Sequence, residues 1–361
     1  MAEVPIEARL PSGGVKATTS RLKAGFFFFP RPEYTHRMDL YDACRICPRD
    51  CGTNRNAGER GLCGETAELR VAWAGLHFGE EPPVTGATGS GTVFFTGCNL
   101  RCAFCQNYQI SQDGMGRALS TEELARVFLE LEAAGAENVN LVTGSHAVPA
   151  IALALRRARE LGLSVPALWN SSAYESPGTL ALLDGLVTVW LPDLKTLNPN
   201  VARAAFKAED YPAAAKRAIR SMVERSPLEI ERPDDERYPS GRIVSGVIVR
   251  HLALPGRLAD TEAVLRWFQD HLAGKAILSL MTQYTPVAAS PHARELTAFE
   301  NRPISVDEYG RLTELIEELG VDAGFYQELV EGTDWLPDFS LRQPFSSALA
   351  RPLWHWADEG R

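Results

Sequence analysis

From residue 93 to residue 280 the chain alternates between short apolar runs and longer stretches in which apolar positions recur every three or four residues. The runs are Val93-Phe94-Phe95, Val139-Asn140-Leu141-Val142, Val165-Pro166-Ala167-Leu168-Trp169, Val187-Thr188-Val189-Trp190-Leu191, Val247-Ile248-Val249 and Ala276-Ile277-Leu278-Ser279-Leu280. Their length and β-branched content predict six strands. Helices are predicted between them. Ser120-Thr121-Glu122-Glu123 reads as a capping box ahead of Leu124, Val127, Phe128 and Leu131, and a helix from about Val148 runs to a left-handed stop at Gly162. Strands alternating with helices predict a parallel sheet, and six such units predict an α/β barrel or partial barrel. No internal repeat of 20–50 residues is evident beyond this alternation.

Each predicted strand ends in polar residues, where a barrel places its chemistry. In chain order these are Thr143-Gly144-Ser145-His146, Asn170-Ser171-Ser172, Asp193-Leu194-Lys195, Arg250-His251 and Thr282-Gln283-Tyr284. Taken singly, His146 or His251 reads as an ordinary buried or solvated histidine; their common position at strand ends is the stronger signal.

Outside this core the pattern changes. Residues 1–37, with the Phe26-Phe27-Phe28-Phe29 run closed by Pro30 and Pro32, show neither helical nor strand periodicity and no signal-peptide core. They read as a disordered extension, and Met38 as an alternative start of translation. After residue 300, Ser305-Val306-Asp307-Glu308 is a second capping box, with Leu312, Leu315, Ile316 and Leu319 at helical spacing and Gly320 as the stop. This predicts a C-terminal helical appendage over residues 301–361, with Trp335, Trp354 and Trp356 covering the barrel end or a partner.

Composition sets broad limits. With 45% hydrophobic and 23% charged residues the chain can bury a large core, and no apolar run reaches the ~20 residues of a membrane span. A formal charge of −9 gives no global basic field, so nucleic acid is not expected as a partner.

The seven cysteines fall into two groups. An odd number of clustered thiols in a chain of 361 residues argues against a disulfide framework and for a reducing, cytoplasmic setting. Cys44-x2-Cys47-x3-Cys51-x11-Cys63, set among Pro48, Gly52, Gly58, Gly61 and Gly64, supplies four thiolates in a stretch too short to fold on a core of its own. It suits structural zinc or a fully ligated [4Fe-4S] cluster, either of which would contribute folding energy to residues 38–87, with four unmetallated thiols as the remaining reading. Arg49 and Arg55 nearby read as solvated surface charges. The second group, Cys98-x3-Cys102-x2-Cys105, follows Gly97 and carries Phe104 before its last cysteine. Three thiolates on one loop leave one iron of a cubane cluster open to another ligand.

From about Met38 to Phe339 the chain resembles the radical S-adenosylmethionine (SAM) family of the pyruvate formate-lyase activating enzyme-like, or PflX, type. The stretches that carry the resemblance are Cys47-Pro48-Arg49-Asp50-Cys51-Gly52, His77-Phe78-Gly79-Glu80-Glu81-Pro82-Pro83, Gly97 through Asn107, Tyr174-Glu175, Leu191-Pro192-Asp193-Leu194-Lys195, Val249-Arg250-His251-Leu252 and Gln283-Tyr284-Thr285-Pro286. It implies a partial (β/α)6 TIM-like barrel over residues 88–300 behind the cysteine-rich metal-binding segment. It further implies that Cys98, Cys102 and Cys105 hold a catalytic [4Fe-4S] cluster and that S-adenosyl-L-methionine is the cofactor. Phe104 would meet its adenine, Gly144 and Ser145 its methionyl amino group, and Ser171, Asp193 and Lys195 its ribose and carboxylate, with Asp193, Lys195 and His251 nearest the reacting centre. Thr143-Gly144-Ser145-His146 departs from the Gly-Gly-Glu-like pattern of relatives, and Ala173 stands where a glycine is usual.

The implied reaction is reductive cleavage of the cofactor to a 5′-deoxyadenosyl radical that abstracts hydrogen, with ferredoxin or flavodoxin as electron donor. A glycine on a glycyl radical enzyme is one substrate this suggests. Another peptide, an RNA or a small molecule is a second, and a non-catalytic iron–sulfur electron carrier is a third reading. Fold resemblance does not choose among them.

Overall fold

The computed structural model describes residues 6–9, 39–287, 290–291, 296–321, 324–329, 332–333, 335–346 and 348–358. Its strands are β1 (Ile6–Arg9), β2 (Arg70–His77), β3 (Ser90–Phe95), β4 (Arg117–Ala118), β5 (Val139–Val142), β6 (Ala167–Ser171), β7 (Val189–Pro192), β8 (Glu229–Glu231), β9 (Arg242–Leu252), β10 (Ile277–Met281), β11 (Gly324–Gln327) and β12 (Ala350–His355). The helices are α1 (Pro82–Thr85), α2 (Tyr108–Ser111), α3 (Thr121–Ala133), α4 (Val148–Glu160), α5 (Pro177–Leu180), α6 (Pro199–Phe206), α7 (Tyr211–Arg225), α8 (Leu258–Leu272) and α9 (Val306–Glu318).

All six apolar runs are strands of one sheet, ordered β1-β11-β10-β9-β7-β6-β5-β3-β2-β12. From β3 to β11 every neighbouring pair is parallel. The right-handed β-helix-β crossovers that this requires place α3, α4, α7 and α8 against its outer face, where Leu124, Phe128, Ile151, Leu155, Ile219 and Phe268 are buried with outward strand residues such as Leu141, Trp169 and Trp190. Alternate strand positions face the interior. Leu168, Val189, Ile248, Ile277 and Phe325 pack there with Val84 of α1, which stops that end of the barrel. Both capping boxes are formed, at Ser120 and Ser305, and Gly162 and Gly320 follow their helices with φ of 109° and 61°. The result is a mixed α/β fold with a mostly parallel central sheet, in keeping with the partial barrel expected from the sequence.

The ends of the sheet depart from the sequence reading. β2, within the cysteine-rich half, is an antiparallel strand beside β3. The C-terminal region is more than a helical appendage: β11 extends the parallel sheet and β12 pairs antiparallel with β2, placing Trp354 in the core. Within the extension read as lacking regular structure, Ile6–Arg9 pairs with β11. Residues 1–5 and 10–37, with the phenylalanine run, and Met38 lie outside the described residues.

Candidate functional site

The two cysteine groups meet. Cys98, Cys102 and Cys105 lie on the loop that leaves β3 at the C-terminal end of the parallel strands. Gly97 opens it with φ of 85°, and a Cβ there would run into Glu65 and the Cys63 carbonyl. That close approach lets the Cys98 amide donate to the Cys63 carbonyl at 3.1 Å, joining one group directly to the other. The Leu100 amide donates to the Cys98 sulfur at 3.3 Å, and the Cys105 sulfur lies 3.2 Å from the Ser111 hydroxyl. Burial pushes the Cys102 thiol well above the ordinary range, Lys195 opposing and the other two cysteines adding to the rise. Cys105 is pushed up to about 11 for the same first reason. Buried sulfurs that repel one another as thiolates are a donor set that a bound cation stabilises.

The quartet forms a knot of turns around a buried guanidinium. The sulfurs of Cys51 and Cys63 both flank Gly61, where a Cβ would approach them to 3.6 and 3.3 Å. Arg55 is 1% exposed. It donates to the carbonyls of Glu65, Thr66 and His146, approaches the Cys44 sulfur at 3.7 Å, and lies over the Tyr41 ring at 4.2 Å. Arg49 donates to four carbonyls: Asn99 at 2.7 Å and Leu100 at 3.0 Å in the second cysteine loop, and Phe206 at 2.7 Å and Lys207 at 2.6 Å at the end of α6. Neither is the solvated surface charge that its sequence context suggests. Each is drawn inward by carbonyls that a loop leaves without strand or helix partners. Asn99, 1% exposed, hydrogen-bonds the Cys47 sulfur and donates to the Tyr174 carbonyl at 2.7 Å. Among the described residues, no three His, Cys, Asp or Glu side chains are placed to hold a single metal ion.

The strand-end residues gather around the second loop. Lys195 Nζ is 2.6 Å from Asp193 Oδ2. Burial would lower the Lys195 ammonium, but Asp193 and then Cys102 hold it above its usual range. Phe104 packs at 5.2–6.1 Å in an aromatic cluster with Phe206, Tyr284 and Phe299. Ser145 and Ser171 share one partner: their hydroxyls donate to the two oxygens of Glu175 at 2.8 and 3.0 Å, and the Trp169 indole adds a third bond at 2.7 Å. Glu175 is buried, which raises its carboxyl despite these donors. At Gly144 a Cβ would meet Ile151 and the Trp169 ring. Thr143 and Ala173 have φ of 63° and 57°, so Ala173 adopts a left-handed backbone that a glycine would take without strain.

His251 is placed differently from the expectation. Its ring nitrogens contact the Leu194 carbonyl at 2.7 Å and the Thr261 hydroxyl of α8 at 3.0 Å, and burial lowers it to about 4. Both nitrogens serve the sheet–helix layer. His146 is lowered to about 3 by burial and then by Arg55, and its Nδ1 meets no hydrogen-bond partner among the described residues.

Sequence reasoning missed Glu175 as a hub, although the Tyr174-Glu175 pair was visible, and missed the pairing of Arg250 with Glu80 and Glu81. The Arg250 Nη2 lies 2.5 Å from Glu80 and bonds Glu81, whose other oxygen accepts from Nε at 2.9 Å. These partners are some 170 residues apart in sequence, and only the barrel brings them together.

Residues 92–228 match the family model of the radical SAM superfamily, a span that opens in β3 and includes the three cysteines of the second loop. An uncharacterized protein of Methanocaldococcus jannaschii is 28% identical over 292 residues, covering 79% of this chain and 77% of that protein. The chain thus carries a radical SAM domain, the mark of enzymes that use a [4Fe-4S] cluster and S-adenosyl-L-methionine and draw on an electron donor. No helix among the described residues is long and apolar enough to cross a membrane.

Proposed function

We propose that Cys98, Cys102 and Cys105 hold the [4Fe-4S] cluster of a radical SAM enzyme that acts, like a glycyl-radical activating enzyme, on a glycine of a partner protein. The observation that carries the cluster assignment is the position of these thiols on the loop leaving β3, beside the Asp193–Lys195 pair at the open strand ends. The activase role rests on the resemblance of Asp193-Leu194-Lys195 and Ala253-Leu254-Pro255-Gly256 to segments of such enzymes. When bound, the cluster and S-adenosyl-L-methionine supply a 5′-deoxyadenosyl radical that takes hydrogen from the substrate, the electron coming from a donor such as ferredoxin or flavodoxin.

The chain's own residues position and shield. Lys195 offers a cation for the methionyl carboxylate, and Asp193 both holds Lys195 and offers acceptors for ribose hydroxyls. Gly144 keeps the backbone open where a side chain would clash with Trp169. Ser145 and Ser171 act through Glu175, fixing two strand-end loops to one carboxylate. The aromatic cluster around Phe104 excludes water from the loop.

For the quartet, a fully ligated [4Fe-4S] cluster and structural zinc are the two readings, since four thiolates satisfy either. Iron, sulfide and zinc analysis of anaerobically purified protein decides this.

The test of the main proposal is 5′-deoxyadenosine formation from S-adenosyl-L-methionine by reduced, reconstituted protein, with Cys102→Ala as the control. Product above the control supports radical chemistry; its absence from protein with a loaded, reducible cluster favours an electron carrier. Deuterium transfer from a glycine-deuterated partner into 5′-deoxyadenosine would support the activase role, and transfer from another molecule would replace it.

A further inference from the structure

We infer that the cavity between the two ends of the sheet receives the polar end of the substrate, and that it takes a neutral carboxamide in preference to a carboxylate. The cavity holds about 140 Å³ and is lined from one side by His77, Glu80 and Glu81 at and after the end of β2, and from the other by Ser279 of β10 and residues of β11. That one cavity touches strands near both ends of the sheet order shows the sheet curling until its ends face each other across the interior. A water's share of liquid volume is ~30 Å³, so the space suits a small group.

The cavity is connected to the cysteine loop through the sheet. Arg250, in its wall, forms a β-bridge with Asp193, the partner of Lys195, and Lys195 interacts electrostatically with Cys102. Along β10 and its extension the lining runs from Ser279 to Gln283, toward the strand ends where that loop sits.

The hydrogen-bonding capacity of the wall defines the chemistry. Arg250 spends Nε and Nη2 on Glu80 and Glu81, while its Nη1 donates to none of the described residues. The Gln283 carbonyl accepts from Gln327 at 2.7 Å, and its amide nitrogen likewise has no described acceptor. Two donors are therefore available to a carbonyl. Beside them, the Glu80 and Glu81 carboxylates line the same wall, and their remaining lone pairs leave acceptors for an N–H. A carbonyl with an adjacent N–H meets both needs. Two carboxylates against one guanidinium leave an excess negative charge that opposes a carboxylate occupant.

This rests on the radical SAM reading only in calling the occupant a substrate, and its test needs neither reductant nor turnover. Full-length reconstituted protein is titrated with acetamide and with acetate, and saturation-transfer NMR follows each. The expected result is saturable amide binding with the acid weaker by about tenfold or more. Gln283→Ala, which removes a donor, and Ser279→Phe, which fills the space, should both abolish amide binding; circular dichroism identifies a variant that does not fold, and the other then carries the test. Equal binding of amide and acid, binding of neither, or amide binding unchanged in a folded Gln283→Ala protein overturns the inference. Amide binding without 5′-deoxyadenosine formation would count against the functional proposal alone.

Discussion

Arg49→Ala should unfasten the second cysteine loop while leaving the quartet itself intact. The side chain makes four charge-assisted hydrogen bonds, three of them shielded from water, to Asn99, Leu100 and Phe206, and its guanidinium lies 5.3 Å from the centre of the Tyr174 ring. At roughly 1.5 kcal/mol for each shielded bond, and with little from the exposed one to Lys207, the truncation removes about 3 to 5 kcal/mol of local stability. The loss falls on residues 98–105 and the end of α6, because those carbonyls have no other side-chain donor among the described residues. Hydrogen exchange reads this without reference to any metal. The amides of Cys98 and Ala103, bonded to the carbonyls of Cys63 and Ala205, should exchange roughly 100- to 5,000-fold faster in the variant. Cys44 and Gly52, whose amides bond within the quartet, should be unaffected. Arg45→Ala serves as the control, since its ion pair with Asp50 is exposed and contributes little. Arg49→Lys should recover only a fraction, as an ammonium cannot span four carbonyls with the guanidinium's planar fork. Unchanged exchange at Cys98 and Ala103 in Arg49→Ala would refute the reasoning.

Cys102→Ala should lose the iron of the second loop yet keep the metal of the quartet, read by metal analysis and electron paramagnetic resonance; equal loss of both would show that they do not form independent sites. His251 links stability to pH. Its folded pKa of about 4 lies below the ~6.5 of an unfolded histidine, so the unfolded chain binds an extra proton between those values, and its contribution, complete above about pH 6.5, falls by about 3 kcal/mol as pH drops to 4. Denaturant titrations at pH 7 and pH 4.5 should show His251→Gln with a smaller pH dependence than wild type; an equal dependence would remove histidine burial as the cause. Glu175→Gln can keep its oxygen on Ser145 and Trp169 but reverses the bond to Ser171, whose hydroxyl must then accept from both the new amide and the Ala173 N–H, and should lower stability by about 1 kcal/mol, measured by thermal denaturation followed by circular dichroism. Lys207→Gly, at the exposed left-handed cap of α6 with φ of 52°, should raise stability by about 0.5 to 1 kcal/mol, and a fall in Tm would contradict the strain argument.

The legible part of the fold was the part built from uniform strands. Runs such as Val247-Ile248-Val249 are buried on both faces in a parallel sheet, so their apolar content is continuous and needs no partner to be recognised. β2 was hidden because Arg70, Gly75 and His77 break the run and the cysteines before it suggested a small metal-bound unit, not a strand of the main sheet. β11 is four residues long, and β12 contains Pro352 where the register shifts, so neither carries a clean alternating pattern.

A similar division runs through the candidate site, and it has a chemical cause. Cysteines with close spacing announce themselves because metal ligation is local in sequence, three thiols within eight residues. Charge pairing is not local: Arg250 meets Glu80 and Glu81 from across the barrel, and Arg49 finds its acceptors on two separate loops. An arginine whose partners are backbone carbonyls leaves no complementary residue to be read, so Arg55 and Arg49 look like surface charges until the loops they bind are placed. The two cysteine groups, separable in sequence, are thereby one construction, with the Cys63 carbonyl and Asn99 passing directly between them. A ligand-bound quartet would hold Arg49 in reach of the second loop, whereas among the described residues the second loop reaches back to the quartet through the single Asn99 contact with Cys47 and the Cys98 amide. Order in this assembly should therefore run from Cys44 toward Cys105.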